Sequence, residues 1–203
     1  MPDSPRFAIR AITAGVNLDP DHTLEPFENA VRFLEMARRR FEDQGLVVQS
    51  TRIATQPQSR LYRSLAPDRA LDVLRTLDQA AADTGQIISL GPLVEDNEDA
   101  VAFPEWSAEL AAETEHLYFS VVIAAPPSEI QYRSVQTAAD AMLAISRVGG
   151  HGEANFRFAA AARIPAGTPF FPVAFHWGPA AFSMALESAG LVGEAFARAS
   201  DPG

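Results

Sequence analysis

Asn155–Leu191 reads NFRFAAAARIPAGTPFFPVAFHWGPAAFSMALESAGL, and how this stretch is divided decides the fold. Asn155–Arg163 begins with alternation, Asn155 and Arg157 on one side and Phe156 and Phe158 on the other. It then turns small and apolar through Ala162, the pattern of a strand covered on both faces. Ile164–Gly178 holds three prolines and two glycines, so neither helix nor sheet can run through it. It nevertheless carries Phe170, Phe171, Val173, Phe175 and Trp177, too apolar a set for a solvated loop, and is expected to pack down and line a cavity. His176 lies inside that aromatic run. After Gly178-Pro179, the spacing of Phe182, Leu186 and Ala189 predicts a helix with proline in its first turn. The N–H groups at its start, beside His176, suit an anion.

Working back toward the N-terminus, the same strand-then-helix unit repeats. Phe7–Val16, Leu46–Thr55, Gln86–Leu90 and Leu117–Ala125 read as strands. The last of these, LYFSVVIAA, is the continuous apolar run of a central buried strand. Helices follow each: Phe27 to Glu42, closed by Gly45; Pro67 to Gly85; Phe103–Glu115; and a long one capped by Ser128, with Ile130, Val135, Ala138, Met142 and Ile145 on one face. Five strands alternating with five helices predict a single α/β domain over 1–203 with a largely parallel sheet.

Composition narrows function. The chain has 203 residues, 47% hydrophobic and 21% charged, as expected of a globular domain. Its 26 acidic against 16 basic residues give a net charge of −10, which argues against nucleic acid and anionic membrane as partners. With no cysteine, disulfides, thiolate metal sites and cysteine nucleophiles are excluded. No apolar run approaches a membrane span and MPDSPRFAIR has no signal-peptide pattern, so a cytoplasmic protein is expected. No His/Asp/Glu cluster has metal-ligand spacing, so neither metal nor other cofactor is expected. EDNED (Glu95–Asp99) lacks the glycine and closing glutamate of a calcium loop and reads as solvated. GGHGEAN (Gly149–Asn155) follows a helix and precedes a strand, the reverse of a dinucleotide fingerprint. The Arg38–Arg40 run suits a helix C-terminus.

Laid out in this way, the chain resembles the N-terminal half of the family called domain of unknown function 711. FAIRAITAGVNL (Phe7–Leu18) is similar to that family's opening strand. Trp106–Ile145 is similar to its helix–strand–helix stretch, and Arg157–His176 to its strand and proline/phenylalanine loop. Where the family's loop ends alanine–phenylalanine–histidine–glycine, this chain has Ala174, Phe175, His176 and Trp177, with Gly178 following. The resemblance implies a ten-stranded α/β barrel of the pyruvate formate-lyase shape, of which five strands form one half. It also implies relatives about twice as long. The radical chemistry of pyruvate formate-lyase needs cysteines and is not carried over. A half-barrel has an open edge and bare apolar faces, so a homo-oligomer or a second half-barrel chain is the expected partner.

The site is expected at the strand C-terminal ends, where α/β proteins usually hold ligands. His176 and Arg157 are the expected catalytic pair: an imidazole titrating near neutrality, and a guanidinium able to clamp a carboxylate or phosphate. The opposing reading makes them a packed histidine and a sheet-edge arginine. Arg10, Thr13, Asn17, Asn155 and Phe171 are the expected substrate-binding residues. Arg10 in particular sits in so apolar a run that it needs a partner. Glu187 could act as a base, although a solvated helical carboxylate fits it better; His22, His116 and His151 carry no signal. The expected function is binding of a small anionic metabolite. Whether that protein is an enzyme or a non-catalytic sensor is left open by the residues.

Overall fold

The computed structural model describes residues 8–19, 24–96, 100–125 and 130–199. Five strands and their helices alternate as the periodicity predicts, with one short helix, α2, that it does not: β1 Ala8–Val16, α1 Leu24–Glu42, β2 Thr51–Thr55, α2 Ser59–Ser64, α3 Pro67–Thr84, β3 Ile88–Val94, α4 Phe103–Glu113, β4 Leu117–Ala124, α5 Tyr132–Ile145 and β5 Phe158–Ala162. Punctuation by proline and glycine falls where it should. Pro67 opens α3, and Gly85 ends it in the left-handed conformation, its N–H turned onto the carbonyls of Ala81 and Ala82.

The C-terminal segment departs from expectation. Ala181–Glu187 is a sixth strand, β6, antiparallel to β1, and the helix α6 begins only at Ala189 and runs to Arg198. Phe182 and Leu186 are four apart, a spacing that helix and strand share; Met184 between them gives the period of two. β1 also exposes a hydrogen-bonding edge that a helix could not satisfy and a strand does. The sheet is therefore mixed and six-stranded, in the order β5-β4-β3-β2-β1-β6.

Strands β1 to β5 are parallel and follow one another in space as in sequence. Right-handed crossovers between consecutive neighbours carry the longer connecting helices to one side. Residues of α1, α3, α4 and α5 accordingly share one core cluster with Ile12, Ile53, Ile88 and Phe119 of the strands. The other side of the sheet receives no helix from these crossovers. It is faced by small residues, among them Gly15, Ala54, Gly91 and Ala161, and the 164–180 segment lies across it. Ser89 donates its hydroxyl to the carbonyls of Pro172 (3.1 Å) and Ala174 (2.7 Å), and the His176 N–H bonds the Thr55 carbonyl at 2.8 Å.

Other details differ as well: β2 begins at Thr51 and β5 at Phe158, later than expected. The third strand runs through Gly91-Pro92 instead of stopping there, because irregular pairing with β4 on both sides of Pro92 absorbs the missing N–H and Gly91 takes φ +67°. In α5 the buried residues are Ser134, Thr137, Ala138, Ala141 and Ile145, so Val135 and Met142 face outward. Ser128, the expected cap, lies outside the described residues, as do Phe7, His22 and the end of the EDNED stretch. Among the described residues no helix is long and apolar enough to cross a membrane.

Gly91 joins the strand to the loop: a Cβ there would lie 2.7 Å from the Cβ of Phe175. Gly91→Ala is expected to cost at least about 2 kcal/mol, from the left-handed backbone and the clash together. Denaturant unfolding measures this, and a neutral result would mean that the loop does not press on the sheet.

Candidate functional site: a cleft at the strand C-terminal ends

The residues that leave β1, β2 and β3 converge. Asn17 and Leu18 follow β1, Gln56 to Gln58 follow β2, and Glu95 follows β3. The Gln56 side chain clamps the first two exits together, accepting from the Leu18 N–H at 2.8 Å and donating to the Leu18 carbonyl at 2.5 Å. Gln58 is held against the Thr55 hydroxyl at 3.2 Å. These segments, with Arg60 and Ser64 of α2 and the Trp177–Gly178 corner, surround a cleft of about 550 Å³.

Trp177 is two-thirds exposed, at 66%, and presents its indole as one wall. Its position is set by Gly178, whose carbonyl accepts from the Asn17 amide at 2.8 Å and pairs with His176 Nε2 at 3.0 Å. A carbonyl can only accept, so Nε2 carries a proton and donates it to Gly178. Nδ1 rests over Gly15, where a Cβ would come within 2.4 Å of it. His176 is 5% exposed, and it holds up the cleft wall without lining the cleft. With Thr13 it lines a separate small cavity of about 70 Å³, into which the residue pattern of β1 also turns Gly15. The Thr13 hydroxyl is buried and has no hydrogen-bond partner among the described residues.

Charge in the cleft comes from two residues. Arg60 on α2 is exposed and makes no hydrogen bond or ion pair with the described residues. Glu95 accepts a short hydrogen bond from the Ser59 hydroxyl and also borders two neighbouring cavities. Among the described residues no group of three His, Asp or Glu could hold a metal ion.

Similarity to known proteins matches what the alternating βα units and the proline/phenylalanine loop indicate: the family described as "Uncharacterised ACR (DUF711)" matches over residues 1–202. The chain belongs to the DUF711 family. A relative, the UPF0210 protein of Oenococcus oeni (strain ATCC BAA-331 / PSU-1), is 28% identical over 189 residues, covering 84% of this chain and 41% of that protein. The chain therefore spans about two-fifths of the length of the curated relative it matches.

Within this DUF711 chain the expected site residues divide into separate groups. Asn17, Thr13 and His176 gather at the C-terminal end of β1. Arg157 and Asn155 precede β5 and so lie at the other end of the sheet, in a 3-10 turn spanning Glu153–Arg157 and not on a strand. Arg157 reaches back to the end of α4, donating to the Ala111 carbonyl at 2.6 Å and the Thr114 hydroxyl at 3.2 Å. Its partial burial, the largest influence, lowers its pKa, and nearby Asp78 opposes this. Asn155 donates to the Met142 carbonyl at 3.2 Å. Arg10 is exposed near the start of β1 and donates to the Gln49 side chain at 2.7 Å. Phe171 packs edge-on to Tyr118, with centroids 5.3 Å apart, and Arg52 stacks over its ring at 5.3 Å. Glu187 ends β6 and accepts from Gln49 at 2.5 Å.

Sequence reading missed Arg60, Glu95 and Trp177 as residues lining the cleft. The QPQSRLYRSL stretch was polar and followed a proline, so α2 gave no apolar period to find. Glu95 was visible but belongs to a run that reads as solvated. Trp177 was legible as an apolar loop residue; that it faces outward from the packed loop was not.

Because His176 orients Gly178, His176→Phe should leave that carbonyl with Asn17 alone and cost about 1–3 kcal/mol. Trp177 emission should shift at the same time, measured with Trp106→Phe as background. Unchanged stability and emission would show that the corner is held by other contacts.

Proposed function

We propose that this protein binds a small anionic metabolite in the cleft bounded by Asn17, Gln56, Arg60, Glu95 and Trp177. One observation carries the reading: a guanidinium and an exposed indole, neither of them paired or stacked with any of the described residues, share a cleft whose floor is fixed by Gln56 and Asn17. Arginine supplies a two-pronged donor for a carboxylate or phosphate, and an indole face covers the ligand's apolar or planar part. Arg60 thus takes the role that the strand pattern of the sequence assigns to Arg10 and Arg157. His176 acts as a positioning residue through Gly178. Glu95 is the carboxylate that lines the same cleft, which makes it the candidate acid or base of any turnover.

Screening small carboxylates and phosphate esters by thermal shift and calorimetry tests this. Arg60→Gln with Trp177→Ala should weaken a hit at least tenfold, or about 1.4 kcal/mol, with unfolding midpoint unchanged. Undiminished binding by the double variant would sink the reading. A bound ligand that is never consumed makes the protein a sensor; its disappearance makes it an enzyme.

A second reading has its own support. Phe182, Met184 and Leu186 of β6 and Leu191, Val192 and Phe196 of α6 are all exposed, and no residue of α6 is buried. Exposed apolar side chains concentrated in the last strand and helix favour an interface there. Together with the two-fifths span of the curated relative, this supports a half-barrel that a second half completes, on the ten-stranded plan of the pyruvate formate-lyase shape. Light scattering should find a dimer, or solubility should rise when the chain is co-expressed with the remaining part of a longer relative. A soluble monomer indifferent to that partner would rule this out.

A further inference from the structure

Two guanidiniums stand on the sheet away from the cleft. Arg52 of β2 is half-buried on the face crossed by the 164–180 loop. Its Nε donates to the Ser50 hydroxyl at 3.3 Å, and that hydroxyl in turn donates to the Arg10 carbonyl at 2.8 Å. The guanidinium plane lies over Phe171, which is braced edge-on by Tyr118. Arg10 spends one nitrogen on Gln49, and Gln49 is tied to Glu187. Neither arginine forms an ion pair with the described residues, although the chain carries ten more acidic than basic groups (26 − 16). The two are close enough that Arg10's charge, after partial burial, depresses the pKa of Arg52.

Like charges held together without a carboxylate cost stability, and burial raises that cost. The contacts present explain where the Arg52 plane lies: Phe171 fixes its face and Ser50 fixes Nε. They leave its outer N–H groups unused, and a planar fork with its face already stacked presents those donors in a fixed direction. Thr13, in register beside Arg52 on β1, adds to the same row a buried hydroxyl without a hydrogen-bond partner among the described residues.

We propose that Arg10 and Arg52 form a second anion site, on the loop-covered face of the sheet, for an oxyanion with at least two acceptor oxygens. The site is independent of the cleft reading, because it shares no residue with it. A phosphoryl group and a dicarboxylate present the same acceptor geometry, so inorganic phosphate and malonate serve as separate probes.

The full chain is titrated with each probe, with unfolding midpoint and calorimetric affinity as readouts, alongside Arg52→Gln, Arg10→Gln and Arg60→Gln. At least one probe should stabilise the parent chain. Arg52→Gln and Arg10→Gln should each lower its affinity tenfold or more, while Arg60→Gln leaves it unchanged. Without either probe, Arg10→Gln and Arg52→Gln should hold or raise the midpoint, since each relieves repulsion. A response to phosphate alone assigns a phosphoryl group; a response to malonate alone assigns a dicarboxylate. The proposal is overturned if neither probe stabilises the parent chain, or if the response survives Arg52→Gln. It is also overturned if Arg52→Gln lowers the midpoint in probe-free buffer and no variant alters a probe response, which would make Arg52 a prop for Phe171 only.

Discussion

The fold depends on a constraint of handedness. Five parallel strands laid side by side in chain order, each joined to the next by a right-handed crossover, bring their connecting helices to the same face. That face gains a continuous core of Ile, Leu and Phe side chains. The opposite face gets no helix from the crossovers, so whatever covers it must come from elsewhere in the chain and lie close. Glycine and alanine at Gly15, Ala54, Gly91 and Ala161 let a loop approach to backbone contact, and fixed proline dihedrals limit what that loop loses on being ordered. Phe171 and Phe175 of the 164–180 segment thus pack against the sheet in place of a second helical layer, while Phe170 stays exposed.

Much of this was legible in the sequence, for reasons that can be named. β4 is apolar enough to be buried on both faces, and α3 is bracketed by proline and a left-handed glycine, so both follow from local chemistry. β6 did not follow, because Phe182 and Leu186 satisfy two periods at once and only the open edge of β1 decides between them. Pro92 inside β3 was equally unreadable: a proline stops a strand unless that strand bulges around it, and the two register shifts by which β3 does so exist only in its pairing with β4.

The candidate site divides along the same line. That the strand C-terminal ends form a cleft followed from the α/β pattern, and Asn17 is there. Which cations reach it did not follow, because Arg10 and Arg157 belong to the other end of their strands and Arg60 comes from a short helix without periodicity. A sequence locates an arginine along a strand; only the register and the preceding turn decide which end it serves. Arg52 shows the same limit, since its stacking on Phe171 joins residues 119 positions apart (171 − 52).

The doubly bonded carbonyl of Gly178 has a consequence for motion. Three residues beyond it the chain enters β6, the edge strand, and immediately before it stands Trp177, the wall of the cleft. Edge strands are the first parts of a sheet to open in native-state fluctuations. Here such an opening pulls on the same carbonyl that sets the indole, so edge and wall open as one unit. A molecule seated against Trp177 therefore slows hydrogen exchange along β6, at amides it never touches.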